Sequence, residues 1–121
     1  MRCLIVDDNY SFLQAARALL VQEGLTVVGV ASTTAAALRQ VETLRPDVVL
    51  VDLELGDESG FELARRLVED GLDGAPTVIL ISTHDEAEFR DLIAASPAAG
   101  FVPKLELSAT AIRSIVNGRS Q

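Results

Sequence analysis

Five short apolar runs, each followed by a stretch with helical spacing, narrow the possible folds of this chain more than any other feature. The runs are Cys3–Val6, Thr26–Val30, Val48–Val51, Thr77–Ile81 and Gly100–Val102. None alternates polar with apolar residues, so the strands are expected to be covered on both faces, as in a parallel sheet. The intervening segments predict helices over about 10–23, 33–45, 60–70, 85–95 and 108–117. Their apolar faces read as Phe12, Ala16, Leu19 and Leu20, then Leu38, Val41 and Leu44, then Phe61, Ala64, Leu67 and Val68. The fourth offers Phe89, Leu92 and Ile93 and the fifth Ile112, Ile115 and Val116, with Phe89, Leu92 and Ile112 expected in the core. Gly24, Gly71 and Gly118 are expected helix stops, and Ser108 an expected cap for the fifth helix.

Five βα units joined by right-handed crossovers make an open, doubly wound α/β sheet with helices on both faces. For five parallel strands the order 2-1-3-4-5 is expected. Strands 1 and 3 are then central neighbours, and the crevice at their carboxyl ends is where such sheets bind ligands.

Composition removes several alternatives. A chain of 121 residues suits one domain over 1–121, with no output domain expected in it. At 49% hydrophobic residues it can fill a core, yet no apolar run approaches the roughly 20 residues of a membrane span. The N-terminus lacks a signal-peptide layout, since Asp7 and Asp8 closely follow Arg2. Cys3 is the single cysteine, so no internal disulfide can form and a cytoplasmic location is expected. The net charge of −8 argues against direct nucleic acid binding by this domain.

Polar residues stand where the apolar runs stop. The first run ends in Asp7-Asp8, the third in Asp52, the fourth in Ser82-Thr83 and the fifth in Pro103-Lys104. In the expected topology these groups share one edge of the sheet. Three carboxylates so close repel one another until a proton or a cation relieves them, and hard oxygen donors suit Mg²⁺. A metal, a lysine and a hydroxyl around one carboxylate can transfer a phosphoryl group onto that carboxylate. Each residue alone also has a plainer reading. An aspartate after a strand can cap a helix or form a turn, Thr83 to Glu86 matches a capping box, and a lysine can be a solvated surface charge. His84 reads as an exposed residue near a helix start.

Taken together, the acidic pair Asp7-Asp8, Asp52, Ser82 and the segment Gly100-Phe101-Val102-Pro103-Lys104 resemble the receiver domains of bacterial two-component response regulators, the CheY-like family, across essentially the whole chain. The resemblance implies a flavodoxin-like/CheY-like fold with Asp52 as phosphoacceptor. It implies Mg²⁺ held by Asp7, Asp8, Asp52 and the backbone carbonyl of Glu54. Ser82 would be the switch hydroxyl, Phe101 the switch aromatic and Lys104 the partner of the phosphoryl oxygens. The donor would be a histidine kinase or a phosphotransfer protein. The surface of the fourth helix, fifth strand and fifth helix would dimerise or bind a target. The chain would catalyse only its own phosphorylation and dephosphorylation.

The chain departs from the commonest family pattern in several places. The loop after Asp52 reads Leu-Glu-Leu-Gly-Asp-Glu-Ser-Gly60, where many relatives carry a Met-Pro pair. Glu54 places an acid two residues past the acceptor, Thr83 follows Ser82, and Pro103 precedes Lys104 rather than following it. The isomer of the Lys104–Leu105 peptide stays open, because a cis bond before a non-proline costs about 3 kcal/mol. Two competing readings remain: a pseudo-receiver that binds without phosphorylation, and an enzyme on the same fold. Against the second, no GxGxxG or Walker loop is present.

Overall fold

The computed structural model describes residues 1–71, 75–84 and 86–119. Five strands, β1 (Arg2–Val6), β2 (Thr26–Ala31), β3 (Val48–Asp52), β4 (Thr77–Ser82) and β5 (Gly100–Pro103), form one sheet. Every pairing is parallel and the order is β2-β1-β3-β4-β5, the expected 2-1-3-4-5.

Successive residues of a strand point to opposite faces, and the continuous apolar runs use that rule to fill two cores at once. Cys3, Ile5, Leu50, Ile79 and Ile81 face one layer, under helices α1 (Tyr10–Gln22) and α5 (Ala109–Arg119). Leu4, Val6, Val49, Val51 and Leu80 face the other, under α2 (Thr34–Leu44), α3 (Gly60–Gly71) and the short α4 (Arg90–Ala95). Each central strand is therefore buried on both sides. Burial pushes the Cys3 thiol up to about 12, so it packs as a small neutral hydrophobe.

Side chains start the helices where the sequence offers them. Asn9 accepts from the Phe12 amide, Thr33 from the Ala36 amide and Ser108 from the Ala111 amide. Gly24, at φ 98°, releases the chain after α1 as expected, and α3 ends on Gly71. Gly118 is not a stop, because α5 runs through it to Arg119.

Two helix faces differ from expectation. In α1 the buried stripe is Leu13, Ala16 and Leu20, while Leu19 is exposed. The run Phe12-Leu13 and the run Leu19-Leu20 allow two phases of stripe, and the sheet selects the one through Leu13. The expected fourth helix begins as a 3-10 turn, Glu86–Phe89, and only Arg90–Ala95 is α-helical. Its expected first position, residue 85, lies outside the described residues. The tighter turn rotates the following residues, so Leu92 is 55% exposed instead of buried. Phe89 and Ile93 are half-buried against the core, and Ile112 is fully buried.

Between β3 and α3 the chain makes a small antiparallel ladder, Glu54–Leu55 with Glu58–Ser59. Its turn passes through Gly56 at φ 62°, a left-handed position that favours glycine. Leu55 is buried and anchors the ladder in the α3 layer.

Candidate functional site

The first strand carries its ladder one residue past β1. The Asp7 amide donates to the Ala31 carbonyl at 3.0 Å, which keeps the pleat and turns Asp7 inward and Asp8 outward. Asp7 is fully buried and Asp8 is exposed. Asp52, the last residue of β3, is buried beside them. One carboxylate oxygen from each of Asp7, Asp8 and Asp52 lies within 4.8 Å of the others. The parallel sheet thus gathers at one edge an adjacent acidic pair and an acid 45 residues beyond Asp7.

Lys104 follows β5 at the same edge. Its Nζ lies 2.5 Å from Asp7 Oδ2 and 3.4 Å from Asp52 Oδ2. It also rests 4.5 Å from the centroid of the Phe12 ring, a cation–π contact supplied by α1. Ser82 ends β4, buried, with its Oγ accepting from the His84 amide at 3.0 Å. Phe101 lies in β5 and packs half-buried against the α3 and α4 layer. The Lys104–Leu105 peptide is trans. Asp8, Asp52, Glu54, Ser82, Thr83 and Lys104 border a cavity of about 250 Å³ together with Asn9, Gly56 and His84.

The site stores unfavourable charge. The Asp52 carboxyl is raised to about 6, first by burial and then by the neighbouring Asp7 charge. Lys104 and the Glu54 amide, which donates to Asp52 Oδ1 at 3.4 Å, offset part of that. Asp7 Oδ1 accepts from the Asn9 amide at 2.8 Å, and the buried Asp7 Oδ2 is paired with the Lys104 ammonium alone. Three convergent carboxylate oxygens, one from each acid, fit a hard divalent cation such as Mg²⁺.

Three contacts of His84 at the rim were not legible in the chain. The Glu54 side chain reaches His84, with Oε1 3.6 Å from Nε2. His84 Nδ1 lies 2.9 Å from Glu88 Oε2, and its ring meets the Phe89 ring edge-on. His84 therefore spans the gap between the loop after β3 and the turn before α4. The position of Phe12 under Lys104 was also missed. Its apolar character marks it as core, and nothing local signals an ammonium 92 residues later.

Fold and site together define the class: a CheY-like α/β domain carrying an acidic pocket and a lysine at the carboxyl edge of its sheet. The model of the response regulator receiver domain matches residues 3–117, and the chain belongs to that family. Among curated proteins it is 27% identical over 106 residues to the DNA-binding transcriptional activator EvgA of Escherichia coli K12, covering 88% of this chain and 51% of that protein. It is 32% identical over 105 residues to a putative transcriptional regulator of Pseudomonas aeruginosa, covering 87% of this chain and 50% of that protein. The chain thus spans about half the length of these relatives. Among solved structures, the signal receiver domain of the putative response regulator NarL from Mycobacterium tuberculosis superposes with a TM-score of 0.84 at 30% identity, covering 97% of this chain and 96% of that one.

Proposed function

We propose that this domain is a phosphorylation-dependent signalling switch whose phosphoacceptor is Asp52. The observation that carries the reading is the setting of that carboxylate. It stands at the end of a buried strand, with two acids on one side, Lys104 on another and an open cavity in front. An ordinary turn-forming aspartate has no need of such neighbours.

In this reading an Asp52 oxygen attacks the phosphorus of a phosphohistidine on a histidine kinase or phosphotransfer protein. The P–N bond breaks, the electron pair leaves with the imidazole, and an acyl phosphate remains on Asp52. Asp7, Asp8, Asp52 and the Glu54 backbone carbonyl would hold Mg²⁺, which when bound offsets charge on the transferring oxygens. Lys104 already leans on Asp52 and would pair with the new oxygens. The reading also makes the domain an enzyme only toward itself, as acceptor and slow hydrolase of its own phosphoryl group.

Phosphorylation adds about one to two negative charges and three acceptor oxygens. Ser82 Oγ, now turned to the His84 amide, would move to bond one of them. Phe101 would turn inward behind it, and the surface of α4, β5 and α5 would shift to dimerise or to govern a partner or output domain. The names of the two relatives, a DNA-binding activator and a putative transcriptional regulator, and their doubled length support control of a DNA-binding partner outside these residues. A cytoplasmic setting suits a kinase-fed switch. Among the described residues no helix is long and apolar enough to cross a membrane.

The test is incubation with Mg²⁺ and a small phosphodonor, followed by intact mass and peptide mapping. One phosphoryl adduct on Asp52, absent in Asp52→Asn, is expected. No adduct on the wild-type chain would leave a binding module that keeps the fold without the chemistry.

A further inference from the structure

The loop that follows Asp52 is held at three points. The Gly60 amide donates to the Leu53 carbonyl at 2.9 Å, and a Cβ on Gly60 would collide with the Asp52 carbonyl, so the two ends of the loop are pressed together. Leu55 is sunk in the core. The third point leaves the loop altogether. Glu58 Oε1 accepts from the backbone amide of Thr34, at the start of α2, at 2.9 Å.

That contact has a clear physical reason. The first amides of a helix lack intrahelical partners and carry the positive end of its dipole. Thr33 satisfies the Ala36 amide with its own hydroxyl. Glu58 supplies a carboxylate to a second amide, from 24 residues further along the chain. Leu55 pairs with Glu58 and Glu54 with Ser59 across the little ladder, so the tether on one arm fixes the other. The fixed arm carries the Glu54 amide, which donates to Asp52 Oδ1, and its turn brings Gly56 beside Asp8.

We infer that Glu58 is a positioning residue for the Asp52 site: by docking on the amino end of α2 it holds the Glu54 backbone against the acid cluster and so sets cation affinity and the rate of phosphorylation. The inference rests on the reading of Asp52 as phosphoacceptor. Glu58 itself touches neither the acids nor the cavity. It acts through the loop backbone.

The test compares Glu58→Ala, Glu58→Gln and Thr33→Ala with the wild-type chain. Thr33→Ala removes a cap from the same helix without loosening the loop, so it controls for loss of helix stability alone. For each, Mg²⁺ affinity is measured by calorimetry, the phosphorylation rate with a small phosphodonor by intact mass, and Tm by thermal melting. Glu58→Ala is expected to weaken Mg²⁺ binding and slow phosphorylation roughly threefold to tenfold, the scale of one charge-assisted bond to a helix end. Glu58→Gln, which keeps an oxygen for the Thr34 amide but not the charge, recovers part of both, and Thr33→Ala lowers Tm with Mg²⁺ affinity unchanged. Wild-type Mg²⁺ affinity and rate in Glu58→Ala would overturn the inference, as would equal losses in Thr33→Ala. Failure of the wild-type chain itself to take a phosphoryl group would instead strike the phosphoacceptor reading.

Discussion

The carboxyl edge at β1 and β3 and the flank formed by α4 and β5 belong to one sheet but are built differently. At the first, every strand residue from Cys3 to Val6 and from Val48 to Asp52 is buried, and the polar groups are locked to backbone amides or to Lys104. At the second, α4 buries none of its residues, Leu92 points to solvent, and Phe101 is only half-covered. Stability is concentrated where the charges must be held against their own repulsion. It is sparse where a response would have to appear. A change of one or two charges cannot rearrange a close-packed strand pair, but it can bias a segment that is only partly buried.

The sharpest way to break that contrast is truncation in each region. Leu50→Ala, in the middle of β3, is expected to cost about 3 kcal/mol in denaturant unfolding. Leu92→Ala on α4 is expected to cost less than about 0.5 kcal/mol. Similar losses at the two positions would remove the distinction.

A somewhat smaller effect comes from the stored charge. The Asp52 carboxyl is raised to about 6 in the fold, against an ordinary value of 3.8. The folded state therefore holds this proton more tightly than the unfolded chain does. The stability it contributes is complete below about pH 4 and is lost as pH rises through about 6. Without divalent cation, Asp52→Asn should stabilise the domain at pH 7 by on the order of 2 kcal/mol and flatten that decline. Melting curves across pH 4 to 7 in chelator check it, and a variant no more stable than the parent at pH 7 would mean the charge is not stored there. Added Mg²⁺ should recover a similar amount in the parent and little in Asp8→Asn.

The smallest expected effect concerns timing. Glu54 lines the cavity and contacts His84. We hypothesise that it biases the attacking water, so Glu54→Ala should change the lifetime of the phosphoryl group severalfold with no change in stability. His84→Ala, which frees Glu54, should change it in the same assay. Decay rates equal to the parent in both variants would remove Glu54 from the mechanism.

The same contrast explains what could be read from the chain. The central strands, their order and the acids at their ends were legible because continuous apolar runs leave few choices and a parallel sheet brings its carboxyl ends together. The α4 flank was misread at Leu92, since a single 3-10 turn resets the phase of every residue after it. Gly118 was misread for a related reason: a glycine permits a helix to stop but does not compel it. Contacts made by the backbone across distance left no trace in the sequence. Glu58 on the Thr34 amide and Glu23 on the Ala109 amide both use a backbone N–H that every residue but proline possesses.

On phosphorylation the acid edge should stay fixed while the α4 and β5 flank responds. Hydrogen exchange, read by mass spectrometry on the Mg²⁺-bound domain before and after phosphorylation, tests it most directly. Amides of α4 and of Gly100–Val102 should change their protection, while those of β1 and of Val48–Val51 should not. Unchanged exchange across the flank, or equal changes in the central strands, would show that the two regions do not respond differently.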